Sequence, residues 1–504
     1  MNPVPFVDRA VVRDRLRGHL TRARNGAGRL VLFAGEPGIG KTRTAEEIAS
    51  IARAVGFRTL QSDALETEAA PAFWPWTQIL RCAIASFDRA ILCRVAGPAA
   101  VDIAAMAPEM PLAAGETPSC DEGESARSRV FESVVQLLLG LSAITPLLLI
   151  FDDLHVADAD SLLLLQFLAP RLRTAAILVI GTYRDVDVRR EHALASTLAN
   201  LARESHCERL ELRGLEVSAV ESIMEAVAGI RPSAALAAMV RSMGDGNPFF
   251  VRECTAFVVD EGDLGDALDD GELSLRLPQS LPDVIGRRLN TLSTDCNEML
   301  RSASAFGGGF TALLLQRVCG DVERNRVMEW IDEALAAQML VESGDSPGHY
   351  RFSHALVRQT LYLELSTPQR VRLHRQIGRV LETFYGARPD EHLTELAHHF
   401  VQAVPVGEIE RAVSYCVNAG RRAHRQYAYE EEARHYERAL ELLELDSNAD
   451  GTRRCELVLA LGEMLMTAGD HVRGRSCLRE AADLSQALGR WDLFGRAVMS
   501  HDPC

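Results

Sequence analysis

Lysine is almost missing from this chain of 504 residues: Lys41 is the only one, and every other strong cation is an arginine. Long apolar runs are missing too. Runs such as Pro146–Phe151 and Leu162–Leu165 fall far short of the roughly 20 residues that cross a bilayer, which excludes a membrane-spanning helix. The start, MNPVPFVDRA, has no basic segment followed by an apolar core, so no secretory signal is expected. Eleven cysteines lie scattered without C-x-x-C pairs or His/Cys spacing. That excludes a zinc motif or a disulfide framework and predicts reduced thiols in a cytoplasmic protein. A surplus of cations is also lacking. With 54 basic against 70 acidic residues the formal charge is −16, which argues against nucleic-acid binding by the whole surface but not by a small basic module. An apolar content of 47% with 25% charged residues is ordinary for a globular chain, and the length predicts about three or four domains.

What is present is concentrated in one stretch. Arg29–Thr42 reads RLVLFAGEPGIGKT: an apolar run with strand character leads into Gly35-Glu36-Pro37-Gly38-Ile39-Gly40-Lys41-Thr42. This fits G-x-x-x-x-G-K-[ST] at every fixed position, and Thr44 to Val55 reads as a helix. Glycines let successive backbone N–H groups point at phosphate oxygens, and the helix N-terminus adds partial positive charge. Lys41 is expected at the β/γ-phosphates and the Thr42 hydroxyl at Mg²⁺. The chain's single lysine stands where a compact ammonium on a flexible stem is needed.

Before this loop, Val11, Val12, Leu16 and Leu20 are expected on one face of a helix, with a solvated arginine face opposite; Arg9 and Arg13 are candidate nucleotide contacts. Phe57–Ser62 reads as a second strand. The prolines of APAFWPWTQILR are expected to exclude a regular helix across Phe73–Trp76, and residues 95–124 read as a mobile surface insertion. After a helix over Ser125–Leu141, the run Pro146–Phe151 ends in Asp152-Asp153-Leu154-His155. Apolar residues followed by acids at a strand's carboxyl end form a Walker B arrangement. Asp152 is expected in the Mg²⁺ shell and Asp153 against the attacking water. His155 reads as a structural histidine or a switch. A short helix over Asp158–Pro170 and a strand over Ala176–Thr182 follow, with Tyr183-Arg184-Asp185 at the strand's end. There Arg184 either senses the γ-phosphate or pairs with Asp185 or Asp187. With Arg209–Leu212 as a fifth strand, residues 29–212 predict a doubly wound parallel sheet.

No further strand is expected for a long way. Helices are predicted at about 217–228 and 232–243, then Asn247 caps a helix with Pro248 at its first position. Residues 261–278 read as a linker. Helices over Leu281–Leu292, Asn297–Phe306 and Arg324–Leu340, a short strand at Tyr350–His354 and a helix over Ala355–Leu365 suit a winged-helix module. From Pro368 onward the chain reads as wholly helical. Its AGRRAHRQYAYEEEARHYERALELL segment has tetratricopeptide-like spacing, with two or three units of loose period. The array stops at MSHDPC without a polar capping helix, so the natural protein or its family is expected to continue. The fold class is thus an α/β P-loop NTPase, followed by an all-helical and winged-helix region and a TPR-like α-solenoid. The expected domains are 1–213, 214–277 (helical lid), 278–388 (winged helix) and 389–504 (repeats).

The pieces FVDRAVVRDRL, LFAGEPGIGKTR, PAFWPWTQIL, LLLIFDDLHVAD, VIGTYRD, GNPFFVRE, LPDVIGRRLNTLS and RFSHALVRQTLY run through residues 5–366. In this order they resemble the AAA-type module of STAND-class signal-transduction ATPases, closest to the large ATP-binding LuxR-family regulators. The resemblance implies ATP or ADP with Mg²⁺ as cofactors. It makes Arg184 similar to the sensor arginine, Pro248 to the proline that packs on adenine, and His354 to the histidine that reads the β-phosphate in the ADP-locked state. Nucleotide binding is assigned to Gly35, Glu36, Pro37, Gly38, Ile39, Gly40, Lys41, Thr42, Arg43, Pro248 and His354, catalysis to Lys41, Asp152, Asp153 and Arg184, and Mg²⁺ to Thr42 and Asp152. The family usually has glycine where Asp8 stands, which puts an adenine-side contact in question. Its helix-turn-helix is not seen in these residues, so DNA binding is not claimed for them.

The resulting expectation is an ATP-driven switch with slow hydrolysis, regulating transcription. An inducer or protein partner would act through the C-terminal helices, self-association would depend on ATP, and no membrane would be involved. The alternatives are an ATPase with steady turnover doing remodelling work, and a protein-binding scaffold whose nucleotide is structural.

Overall fold

The computed structural model describes residues 6–62, 70–112, 124–185, 193–260, 280–320, 322–342, 348–386, 389–446 and 450–501. Two compact units emerge, each assembled from separated stretches. The first takes Met1–Gln61, Thr145–His155 and Ala169–Ser366; the second takes Ser62–Ile144, Val156–Leu168 and Thr367–Cys504.

The first unit is built on a five-stranded sheet of β1 (Arg29–Ala34), β2 (Arg58–Ser62), β3 (Leu147–Phe151), β4 (Ile177–Tyr183) and β5 (Cys207–Glu211), in the order β2-β3-β4-β1-β5. β3 pairs in parallel with β4, and β1 with both β4 and β5; Leu30 lies opposite Val179 on one side and Cys207 on the other. Every residue of β3 and β4 is buried, as expected of parallel strands covered on both faces, and this is why they read as unbroken apolar runs. Helices Ala10–Arg24 and Lys41–Ala54 cover the sheet through Leu16, Leu20, Ile48 and Ala52, packed on Val31, Phe33, Ile150 and Ile180. Val11 does not join them. It is 82% exposed, and the buried stripe runs instead through Leu16, His19, Leu20 and Ala23.

Three helices follow, Val217–Ala228, Ala234–Met243 and Pro248–Asp260, around Val220, Ile223, Val240, Phe250 and Cys254. The linker expected over 261–278 lies outside the described residues. Beyond helices Leu281–Leu289 and Thr294–Ala303, the sequence reading needs two corrections. Helix Ala312–Cys319 was not expected, and helix Arg324–Ala336 stops short of Leu340. Gln338 turns left-handed (φ 54°), and Leu340–Glu342 becomes strand β7 instead. With β6 (Phe310–Thr311) and β8 (His349–Phe352) it forms an antiparallel sheet of order β6-β8-β7, leading into helix Ala355–Glu364.

In the second unit a helix does cross the proline-rich stretch, against expectation. It spans Trp74–Ser86 with Pro75 in its first turn, where a missing N–H costs nothing because those donors have no intrahelical partner. The expected surface insertion is also corrected. Residues 97–104 are helical, and Ala100, Ile103, Met106, Ala107 and Met110 are buried; residues 113–123 lie outside those described. Helix Glu124–Ile144 and helix Ala159–Leu168 complete this layer. Asp160, fully buried, accepts a hydrogen bond from the Glu431 N–H at 3.1 Å in the first turn of helix Tyr429–Leu445.

Among the described residues from Thr367 to His501 every regular element is helical, and sequential neighbours pack on one another, as in a solenoid. Small residues set the close approaches: the Tyr436 ring lies against Gly420, and Leu478 against Gly462. Among the described residues no helix is long and apolar enough to cross a membrane, and the nine cysteines there are free thiols.

Candidate nucleotide site

The site grows from the carboxyl end of β1. Gly38 (φ 82°) and Gly40 (φ 97°) occupy the left-handed region, where a Cβ would be strained. A Cβ on Gly38 would also lie 2.8 Å from Asn247 Oδ1, so the loop can curl only as glycine. Lys41 opens the helix and is buried, its ammonium donating to the carbonyls of Gly35 and Glu36 at 2.9 Å each.

β3 and β4 bring the acids to this loop. The Thr42 hydroxyl donates to Asp152 at 2.9 Å. The Thr182 hydroxyl, on the fully buried end of β4, also donates to Asp152 and accepts from the Asp153 N–H at 2.8 Å. Asp153 itself is left-handed (φ 51°), a conformation that Asp tolerates better than most residues. His155 is buried, with Nδ1 3.6 Å from Asp153 Oδ1. One hydroxyl and one carboxylate are hard oxygen donors, a fitting pair for Mg²⁺, which keeps waters and phosphate oxygens as its remaining ligands.

Residues far along the chain close over the loop. Asn247 caps helix Pro248–Asp260 through Oδ1, accepting from Phe249 N at 3.0 Å, and its Nδ2 donates to the Pro37 carbonyl at 2.9 Å. Pro248 lies against Gly40, and Phe249 N donates to the Gly38 carbonyl at 3.4 Å. The Phe249 ring packs on the imidazole of His354, centroids 4.2 Å apart. His354 Nδ1 accepts from Leu356 N at 3.2 Å and caps helix Ala355–Glu364, which leaves Nε2 to carry the proton of the neutral ring. Burial, then the cations Arg252, Arg184 and Lys41, pull the His354 pKa down to about 4 against the opposing charge of Glu253.

His354 is thus joined to the loop through Phe249, and it feels the charges of Lys41 and Arg184, although the three come from the cap of a helix beyond β8, the first strand–helix turn and the end of β4. Asp185, one of the two acids considered for Arg184, is gripped by Arg209 at 2.7 and 2.8 Å; Asp187 lies outside the described residues. Arg9 is tied to the loop by donating to the Ile39 carbonyl at 3.2 Å and the Arg213 carbonyl at 2.7 Å. Asp8 has φ 55° and accepts from the Glu216 N–H at 2.8 Å. The position demands a left-handed residue, and Asp meets that demand while capping helix Val217–Ala228.

Sequence reasoning missed Thr182, Phe249 and Arg252. A threonine at the end of a buried strand carries no pattern of its own. The Phe249-Phe250 pair beside the capped Asn247-Pro248 was the one available signal.

Residues 5–180 match the family model of the AAA ATPase domain. An uncharacterized protein of Rhizobium meliloti (strain 1021) is 24% identical over 470 residues, covering 88% of this chain and 43% of the relative. The chain thus spans less than half the length of the curated relative it matches. Among solved structures, a Signal Transduction ATPase with Numerous Domains (STAND) protein with a tetratricopeptide repeat sensor, from Pyrococcus horikoshii, is similar with a TM-score of 0.48 and 15% identity. That comparison covers 99% of this chain and 68% of the other. The Walker-type ATPase of Pyrococcus abyssi gives 0.34 and 15%, covering 71% and 96%. Over residues 5–180 the chain is thus similar to the AAA ATPase domain.

Proposed function

We propose that this protein is a nucleotide-operated signal-transduction switch of the STAND type. Lys41 binds the β/γ-phosphates of ATP, Thr42 and Asp152 hold Mg²⁺, and Asp153 orients the attacking water. Arg184 senses the γ-phosphate, Pro248 supports the adenine, and His354 reads the β-phosphate. ADP keeps the ATPase core and the module carrying His354 closed on each other. ATP favours an open state that self-associates, and slow hydrolysis resets the switch. Two states separated by a few kcal/mol suffice for this. An inducer or protein partner biases them through the C-terminal helices. We place the output in transcriptional regulation, by analogy with the LuxR-type regulators.

The single observation behind this reading is the packing of His354 on Phe249, whose N–H donates to the Gly38 carbonyl of the phosphate loop. A purely catalytic P-loop centre needs no contact from a residue more than 300 positions away; a switch that must register its nucleotide in a second module does. The deciding experiment is calorimetry of the full chain with ATP and ADP, together with size-exclusion chromatography in each. Lys41→Ala abolishes binding and the ATP-dependent change in size. Unchanged ATP affinity in that variant would sink the proposal, and turnover on the order of 1 per second or faster would favour a remodelling ATPase.

A further inference from the structure

The helical array of the second unit encloses an open cavity of about 1010 Å³. Helix Ile409–Arg425 forms one wall and is sharply two-faced. Ala412, Val413, Cys416, Ala419 and Ala423 are buried on one side. On the other, Ser414, Asn418, Arg421 and Arg425 face the cavity in a single stripe, three or four residues apart. The Tyr436 ring, resting on Gly420, completes this wall.

Five carboxylates line the cavity as well, and four of them already have a side-chain partner. Glu382 accepts from the Tyr415 hydroxyl at 2.7 Å, and Glu410 pairs with Arg453 at 2.6 Å. Glu432 bonds His424 Nδ1 at 2.8 Å, and Glu463 pairs with Arg496 at 2.7 Å. Asp390 lies beside Arg422, whose guanidinium donates to the Asp390 carbonyl. Arg411 is engaged by Glu408 at 3.0 Å. The stripe is different. Among the described residues the Asn418 and Arg425 side chains make no hydrogen bond or ion pair, and Arg421 stands beside the neutral Tyr436 hydroxyl. The cationic groups left free on this wall are therefore the solvent-exposed Arg421 and Arg425, with the Asn418 amide beside them.

We propose that this cavity binds a small organic anion. Its phosphate or carboxylate is forked by Arg421 and Arg425, one helical turn apart, through charge-assisted hydrogen bonds. Asn418, one turn earlier, reads a hydroxyl or amide on the ligand body. The volume stands at the upper end of the roughly 300–1,000 Å³ typical of small-molecule sites, which suits a metabolite rather than a bare ion. That occupancy is the signal rests on the switch reading above; the binding itself does not.

Calorimetry on the full chain tests this with three probes sharing one body, glucose 6-phosphate, glucuronate and glucose, and with inorganic phosphate as a fourth. Excess Mg·ADP occupies the phosphate loop, and Lys41→Ala serves as a second control against binding there. A charged probe is expected to bind at least about tenfold tighter than glucose. Arg425→Gln, which removes no contact within the protein, abolishes that advantage, as does Arg421→Gln, while Lys41→Ala leaves it intact. Which probe wins identifies the acid. Equal binding of glucose, equal binding of inorganic phosphate, survival of binding in both arginine variants, or no heat from either charged probe up to about 10 mM would overturn the site. Binding that leaves ADP release unchanged upholds the site and removes its role as the signal.

Discussion

Asn247 joins two structures 210 residues apart in sequence: its Nδ2 holds the Pro37 carbonyl of the phosphate loop at 2.9 Å while its Oδ1 caps its own helix. One amide thus fixes both the start of a helix and the shape of the loop that Lys41 leaves.

Asn247→Ala is expected to lower stability by about 1 kcal/mol, the usual worth of an N-cap, and also to weaken nucleotide binding. Ser233 provides the control. It caps helix Ala234–Met243 by accepting from Leu236 N at 3.1 Å, with no link to the loop. Ser233→Ala should match the stability loss and leave affinity alone. Thermal denaturation and fluorescent-nucleotide titration separate the two effects.

Thr182→Val leaves the Asp153 N–H without its acceptor and takes one of two hydroxyl donors from Asp152. A buried donor left unmatched costs about 1–3 kcal/mol. Beyond that loss, the Mg²⁺ dependence of ATP turnover should shift to higher metal concentration, because Asp152 is no longer held in place. Thr182→Ser restores both readouts.

His354 links nucleotide affinity to pH. In the free protein three cations and burial hold its pKa near 4. A bound polyphosphate beside Lys41 and Arg184 offsets those cations and raises the pKa, so the complex takes up protons. Affinity then rises as pH falls from 7 toward 5 and flattens below about 4, where both states are protonated. His354→Gln should remove this excess slope, read as the difference between variant and parent titrations so that the nucleotide's own ionisation cancels.

Acid sensitivity of the second unit follows from its buried histidines. Burial, with neighbouring positive charge, drives His374 and His435 down to about 3 and His399 well below its ordinary value. Unfolded, these rings bind protons near pH 6.5. The unfolded state therefore takes up more protons, and stability present above pH 6.5 is lost as pH falls toward 3, at up to roughly 1.4 kcal/mol per pH unit per histidine. Chemical denaturation at stepped pH checks this, and His435→Gln should lessen the slope.

The local signals in the sequence were strong. Strands β1, β3 and β4 stood out because burial on both faces forces continuous apolar runs. The loop stood out because its glycines, lysine and threonine serve neighbours within a few residues. The Asn247 cap ahead of Pro248 was legible for the same reason, and the start of helix Val217–Ala228 was placed to the residue. Errors arose where a residue's meaning depends on its position within an element. Pro75, taken as a breaker, sits in a first turn, Val11 falls just off the buried stripe, and a helix expected to reach Leu340 gives way at Gln338 to a strand.

The sequence by itself therefore determined the phosphate loop, its lone lysine and the acidic end of β3, because capping, glycine curvature and apolar periodicity act between near neighbours. Only the tertiary structure decided that Thr182 steadies Asp152, that Asn247 grips Pro37, and that His354 stands on Phe249 close to Lys41 and Arg184. It also decided that residues 62–144 and 156–168 pack with the C-terminal helices in one unit. Those meetings depend on how crossovers order the strands and on which buried faces find each other. Neither is written in the spacing of residues along a single element.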